Sequence, residues 1–406
     1  MFDVKEIRKD FPMIQNHPDL IYFDNGATTF KPKQMIEAVD YFYLFGTSNV
    51  HRGDYELSIQ ADKLYDDTRR LTATFINADT DEIIFTHNDT GSINQIAYGL
   101  SRSFLKEGDV ILVSQVEHAS NLLPWFRLSH DLGIKIEYIP VNKHGVMTVE
   151  EVKKCMHKKV KVISIASTSN VLGSEQPIKQ IASIAHDNGA IIVVDGAQSV
   201  PHKPTDVKDL DVDFLTFSAH KMCGPGGVGI LYGKKKHMMH MEPVFLGGGM
   251  NARFASDTSM ILKEGPERFE AGTPNIEGII GLGKSIQYLM KLGMENIHEY
   301  EKELRSYFAS RMKELDNVIF YNPENESGAI TFNVKDVFAQ DAAGYYAHKN
   351  IAVRSGNHCA KILHEIIQTD STIRASLYFY NTKEEVDRFI EVTKEVNLEN
   401  AVGIFF

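Results

Sequence analysis

Apolar positions follow two periods along this chain. Between residues 82 and 232, short continuous apolar runs alternate with stretches in which apolar residues recur every three or four positions. Runs such as Val110-Ile111-Leu112-Val113 and Ile191-Ile192-Val193-Val194 predict strands buried on both faces, as in a mostly parallel sheet covered by helices. The pattern predicts strands over 82–86, 110–114, 134–140, 160–166, 190–195, 214–218 and 229–232, with helices over 94–101, 122–130 and 178–187. Upstream, Ala61, Leu64, Thr68, Leu71 and Phe75 mark one face of an amphipathic helix, which leaves Asp62, Asp66, Asp67, Arg69 and Arg70 toward water.

The periodicity lapses between 247 and 275, and a long helix resumes over 279–292. Beyond Gly293 the order changes to a helix over 300–315, strands over 318–321 and 329–333, and helices over 339–348 and 383–396. This is an α+β arrangement. The expected organisation is therefore a large α/β domain of residues 22–292 and a smaller α+β domain made of 1–21 and 293–406. There is no internal repeat.

Composition narrows the function classes. The chain has 406 residues, 43% of them apolar, enough for two cores. A net charge of −11 excludes a basic nucleic-acid footprint. No apolar run reaches membrane-spanning length and the first ten residues are rich in charge, so the expected location is the cytoplasm. The basic run Lys234-Lys235-Lys236, with His237 and His240, reads as a solvated surface segment without a metal role. Three scattered cysteines, Cys155, Cys223 and Cys359, form neither a disulfide framework nor a zinc site.

Open α/β sheets bind ligands beyond the carboxyl ends of their strands. There the chain places Asp89-Thr90-Gly91-Ser92, Glu117-His118, Thr168-Ser169-Asn170, Asp195-Gly196-Ala197-Gln198 and Ser218-Ala219-His220-Lys221. Taken singly, Lys221 reads as a solvated loop lysine, Asp195 as a cap and His118 as a packing histidine. Together they meet the needs of pyridoxal 5'-phosphate. A lysine holds the aldehyde as a Schiff base, a carboxylate keeps the ring nitrogen protonated, hydroxyls and amides bind the phosphate, and a histidine face stacks on the ring.

Asp195-Gly196-Ala197-Gln198 and Ser218-Ala219-His220-Lys221, with Phe269-Glu270-Ala271-Gly272-Thr273-Pro274 and Arg354-Ser355-Gly356-Asn357-His358-Cys359-Ala360, resemble the signatures of class V aminotransferase-fold enzymes, specifically the group II (Suf-type) cysteine desulfurases. The resemblance runs from about Tyr22 to the last helix. It implies the fold type I architecture of pyridoxal-phosphate enzymes, with Lys221 as Schiff-base lysine, Asp195 at the ring nitrogen, Gln198 at the ring hydroxyl and His118 stacked on the ring. Thr90, Ser218 and His220 would bind phosphate, and Thr273 would reach in from a second subunit of a homodimer. His51 and Asn170 resemble residues beside the substrate. The implied reaction converts L-cysteine to L-alanine with a persulfide on Cys359, whose sulfur passes to a Suf-type acceptor protein for iron–sulfur cluster assembly.

Cys359 lies in a polar, partly basic setting between Arg354 and Arg374 that favours thiolate. Cys223, next to the lysine, is a competing nucleophile and reads as a packing residue. Arg374 could be a structural ion-pair partner, or a planar fork for the substrate carboxylate; the resemblance favours the fork, beside Arg354. Three departures from the family pattern stand out: Asn357 replaces a second histidine, Asn88-Asp89-Thr90-Gly91 replaces a glycine-threonine-threonine loop, and Lys361-Ile362 replaces methionine-proline. Asp89 brings a negative charge toward an expected phosphate. Selenocysteine lyase is the nearest alternative activity, followed by an ordinary class V aminotransferase and a non-catalytic scaffold.

Overall fold

A computed structural model describes residues 2–51 and 53–404. Fifteen strands follow in chain order: β1 (Ile21–Tyr22), β2 (Ile83–Thr86), β3 (Val110–Ser114), β4 (Lys135–Ile139), β5 (Val160–Ala166), β6 (Ile191–Asp195), β7 (Phe214–Ser218), β8 (Gly229–Gly233), β9 (Asn251–Phe254), β10 (Met260–Leu262), β11 (Val318–Phe320), β12 (Ala329–Val334), β13 (Ile351–Ala352), β14 (Arg354–Gly356) and β15 (Thr372–Ser376). Seven of them form one sheet in the order β2-β8-β7-β6-β5-β3-β4. β8 runs antiparallel to both its neighbours and the other six strands run the same way. The sheet is therefore mixed and mostly parallel.

The side-chain period of two explains why the central strands read as unbroken apolar runs. In β6, Ile192 and Val194 join one core cluster while Ile191 and Val193 join the cluster on the opposite face. In β3, Val110 and Leu112 separate from Ile111 and Val113 in the same way. One face is covered by the helices Glu56–Phe75, Ile178–Asp187 and Ile276–Leu292, the other by Asp89–Ser103 and Leu123–Leu132. Each fully buried aliphatic side chain contributes about 1.5–3 kcal/mol, so both faces are needed to hold the sheet.

A second, antiparallel sheet has the order β11-β12-β15-β14 and packs on the helices Met294–Met312 and Lys383–Glu395. Its core contains Leu304, Phe308, Phe332, Ile373 and Phe389. The amino-terminal segment attaches here: β1 pairs in parallel with β13, Phe23 is buried in this core, and Asp24 bridges Ser376.

Two expectations about charged residues need correction. Arg69 does not face water. Its guanidinium is buried against Glu270, with Nη1 and Nη2 each 2.7 Å from a carboxylate oxygen, and it lies over the Phe85 ring at 4.8 Å. Helical periodicity places a residue on a face but does not show that a partner waits there. The basic run is not simply solvated either. Lys235 meets Asp81, while Lys234 and His237 meet the buried carboxylate of Asp213, at 3.3 and 3.0 Å. The stretch 247–275, where periodicity lapses, contains the antiparallel pair β9–β10. The sequence pattern also missed the helices Lys33–Tyr41 and Val149–Cys155.

Candidate active site

Strand ends deliver most of the expected groups to one cavity of about 280 Å³. It is lined by Thr90, His118, Asn170, Asp195, Gln198, Ser218, His220 and Lys221 from the large sheet's edge, and by Arg354, Cys359 and Arg374 from the second sheet and its turns. Asp195 ends β6, and its Oδ1 accepts from the Ala197 amide at 2.9 Å, which fixes the carboxylate. Ser218 ends β7. Lys221 sits in the short 3-10 turn Ala219–Lys221 that follows.

That turn closes on itself, with the Gly224 amide donating to the Ala219 carbonyl at 2.9 Å. A Cβ at Gly224 would come within 2.8 Å of the same oxygen, so the close approach requires glycine. Loss of solvation lowers the Lys221 amine pKa, and Asp195 and Asp89 only partly offset this. His118 Nδ1 accepts from the Ser120 amide at 3.1 Å, which puts the proton of the neutral ring on Nε2. Burial and the charge of Lys221 lower its pKa, against the pull of Asp195. Burial, Lys221 and Lys31 bring His220 down to about 4. The Gln198 amide donates to the Gly26 carbonyl at 2.9 Å.

Cys359 is exposed and lies in a strained turn. His358 and Cys359 both have left-handed backbone angles, with φ of 51° and 57°, a conformation that costs non-glycine residues about 1–2 kcal/mol each. Several bonds hold it. The Cys359 amide donates to Asn357 Oδ1 at 3.1 Å, the Asn170 amide donates to the His358 carbonyl at 2.9 Å, and the His358 ring reaches the Thr372 hydroxyl at 3.0 Å. Asn357 thus has a local reason to replace histidine, because its short side-chain oxygen can cap the turn. Cys223 is fully buried and burial pushes its thiol up to about 12, so it is an inert packing residue.

Arg374 lies in the middle of β15 and is almost fully buried. Its Nη1 donates to the Asn170 carbonyl at 2.8 Å, its Nη2 lies 3.3 Å from Asp24 Oδ1, and its Nε has no partner among the described residues. Arg354 binds the same carboxylate at 3.2 Å. Asp24 therefore orients both arginines. Nothing local in the sequence links Asp24 to these residues, 330 and 350 positions away. Glu117, placed at a strand end by the sequence but given no role there, is fully buried and accepts from the Ala166 amide at 2.8 Å and the Asn121 side-chain amide at 2.8 Å. It ties the end of β3, and so His118, to the end of β5. Burial raises its carboxyl to about 7.

His51 and Thr273 are not brought to the Lys221 cavity within one chain. Both line a separate cavity of about 120 Å³, where Asn49 Nδ2 is 3.4 Å from the Thr273 hydroxyl. Thr273 also lines a groove of about 770 Å³ that it shares with Thr90. His51 packs edge-on against Tyr65 at 5.3 Å, and Tyr65 in turn donates to Glu270 at 2.8 Å. The Arg69–Glu270 pair thus anchors the loop that carries Thr273.

The residues in the Lys221 cavity fit pyridoxal phosphate. An amine whose charge is disfavoured faces a fixed carboxylate, a neutral histidine lies beside them, and the hydroxyls and the amino end of the helix Asp89–Ser103 share one edge.

The Aminotransferase class-V family profile matches residues 21–389. A probable cysteine desulfurase of Halalkalibacterium halodurans is 44% identical over 397 residues, covering 96% of this chain and 98% of that protein. A cysteine desulfurase of Escherichia coli K12 is 40% identical over 394 residues, covering 96% and 97%. An apo cysteine desulfurase structure from Thermococcus onnurineus superposes with a TM-score of 0.92 at 40% identity, covering 96% and 97%. The chain belongs to the class V aminotransferase family, among its cysteine desulfurases.

Proposed function

We propose that this chain converts L-cysteine to L-alanine and receives the substrate sulfur as a persulfide on Cys359. The observation that carries this reading is the exposed Cys359 thiol on the same cavity as Lys221, Asp195 and Arg374. Pyridoxal phosphate supplies, when bound, an aldehyde that condenses with amines and a ring that takes up the electron pair freed at Cα.

The chain's own residues do the rest. With the cofactor bound, Asp195 would hold a proton at the ring nitrogen, Gln198 would meet the ring hydroxyl and His118 would lie against the ring. Thr90, Ser218 and His220 would hold the phosphate, with the amino end of the helix Asp89–Ser103 beside them. Arg374, with Arg354 and Asp24 beside it, orients the substrate carboxylate, and Asn170 braces this part of the cavity. Lys221 Nζ takes the Cα proton. The Cys359 thiolate forms an S–S bond to the substrate sulfur as the C–S bond breaks, and the electron pair stays with the carbon, which is protonated to give alanine.

The assembly is a homodimer in which His51 and Thr273 of one copy complete the cavity of the other. Their separation from Lys221 within one chain supports this, as do exposed apolar residues such as Leu44, Phe45, Tyr55, Phe245 and Leu246. Persulfide sulfur passes to a Suf-type acceptor protein for iron–sulfur cluster assembly, in the cytoplasm. No helix among the described residues is long and apolar enough to cross a membrane.

Incubating the cofactor-loaded enzyme with L-cysteine and a reductant, then measuring alanine and sulfide, tests the reaction. Stoichiometric alanine and sulfide are expected, and no alanine from a loaded enzyme overturns it. Sedimentation gives the dimer, and a monomer with full activity overturns the shared site.

A further inference from the structure

Asp89 places a carboxylate on the cavity where an anion would bind, and its surroundings indicate what it does there. It is the first residue of the helix Asp89–Ser103, and its backbone N–H donates to the Ser218 hydroxyl at 2.8 Å. The residue is only 7% exposed, and its Oδ1 has no hydrogen-bond partner among the described residues. It lines the cavity that also holds Asp195, Lys221, His118, His220 and Arg374.

The charged groups acting on Asp89 are Asp195, at the end of β6, and Lys221, after β7; the Thr216 hydroxyl of β7 lies beside it. Thr216 is directly opposite Asp195 in the sheet, so both project from the same face. Two carboxylates and one lysine whose own charge is disfavoured cannot all ionise without cost. A neutral Asp89 leaves the positive end of the helix free for an anion. An ionised Asp89 opposes the anion at close range.

We propose that Asp89 sets the pH range over which the enzyme retains its phosphorylated cofactor, permitting binding as a neutral acid and repelling the phosphate once ionised. The proposal rests on the reading of this cavity as a pyridoxal phosphate site. Burial, then the charge of Asp195, push the Asp89 carboxyl above the ordinary carboxylate range, against Thr216 and Lys221. The change in binding therefore falls at a higher pH than an exposed aspartate would give.

The test titrates apoenzyme with pyridoxal phosphate from about pH 6 to about pH 9 and reads the dissociation constant from absorbance, for the native chain, Asp89→Asn and Asp89→Thr. Pyridoxal, which lacks the phosphate, is the second probe. Above the ionisation of Asp89, the native dissociation constant rises by up to about tenfold per pH unit relative to both variants. With pyridoxal the difference between the chains shrinks. Removing Asp89 also shifts Lys221, whose charge Asp89 supports, but pyridoxal forms the same Schiff base, so the ratio of the pyridoxal phosphate and pyridoxal constants cancels that shift.

Parallel profiles for the three chains overturn the proposal alone. Failure of every chain to bind pyridoxal phosphate overturns both the proposal and the cofactor reading. Apoenzyme melting gives a readout independent of the cofactor: the native chain loses melting temperature relative to Asp89→Asn as pH rises above the ordinary carboxylate range. Should the asparagine variant not fold, Asp89→Thr supplies the same comparison, and parallel melting profiles again overturn the proposal.

Discussion

The Ala119 amide donates to the Cys359 carbonyl at 2.8 Å. One backbone bond thus joins the segment carrying His118 to the turn carrying Cys359, so the thiol is registered against the His118 ring. With the thiol removed and this bond kept, the cavity remains but the sulfur has no acceptor. Cys359→Ala is expected to lower alanine formation from cysteine by about 100-fold or more while cofactor absorbance stays native. Retained activity with selenocysteine would mark an enzyme that tolerates the better leaving group.

Arg374 is buried and its planar head is fixed by Asp24 and Asn170. Lysine keeps the charge but loses the fork. Arg374→Lys is expected to reduce kcat/KM for cysteine by about 10- to 100-fold, mainly through KM, in steady-state kinetics.

The Arg69–Glu270 pair is buried, and Glu270 also accepts from Tyr65 and the Phe85 amide. Removing one partner strands the other charge. Arg69→Met is expected to cost about 3–5 kcal/mol in denaturant unfolding. The double variant Arg69→Met with Glu270→Gln should recover part of that loss.

Asp213 gives a pH dependence of determinate sign. Burial alone would raise its pKa, but His237, the Ile192 amide and His186 outweigh burial and hold it well below the carboxylate range. Its stabilising contribution is present above the unfolded-state value and is lost as pH falls through the folded one. Asp213→Asn is expected to lower stability near neutral pH by about 1–3 kcal/mol. The difference from the native chain should shrink below about pH 4 in unfolding measurements.

The large sheet was legible because both its faces are covered, so each strand shows as an apolar run. The ends of those runs located Asp195, Ser218 and Lys221. Relations that depend on the meeting of distant segments were not legible. Asp24 gathers Arg354 and Arg374, Glu117 clamps two strand ends, and Glu270 meets Arg69 across 201 positions, each without a local pattern. The Asn357 turn was equally hidden, since a left-handed cysteine carries no periodic signature. His51 and Thr273 could be named from motifs, but their separation from Lys221 is a property of the fold.

Asp24 sits beside a strand whose partner arrives very late. β1 pairs with β13, 330 positions on in the register Ile21↔Ile351, and the Asn25 side-chain amide donates to the Ser376 carbonyl at 2.8 Å. During synthesis the amino-terminal arm must wait for nearly the whole chain to emerge. The seven-stranded sheet, complete by residue 233, can form first. The half of the cavity that carries Lys221 can therefore be in place before Arg354 and Arg374 meet Asp24. A truncated or stalled chain can bury its lysine without acquiring the cluster of Asp24 with Arg354 and Arg374.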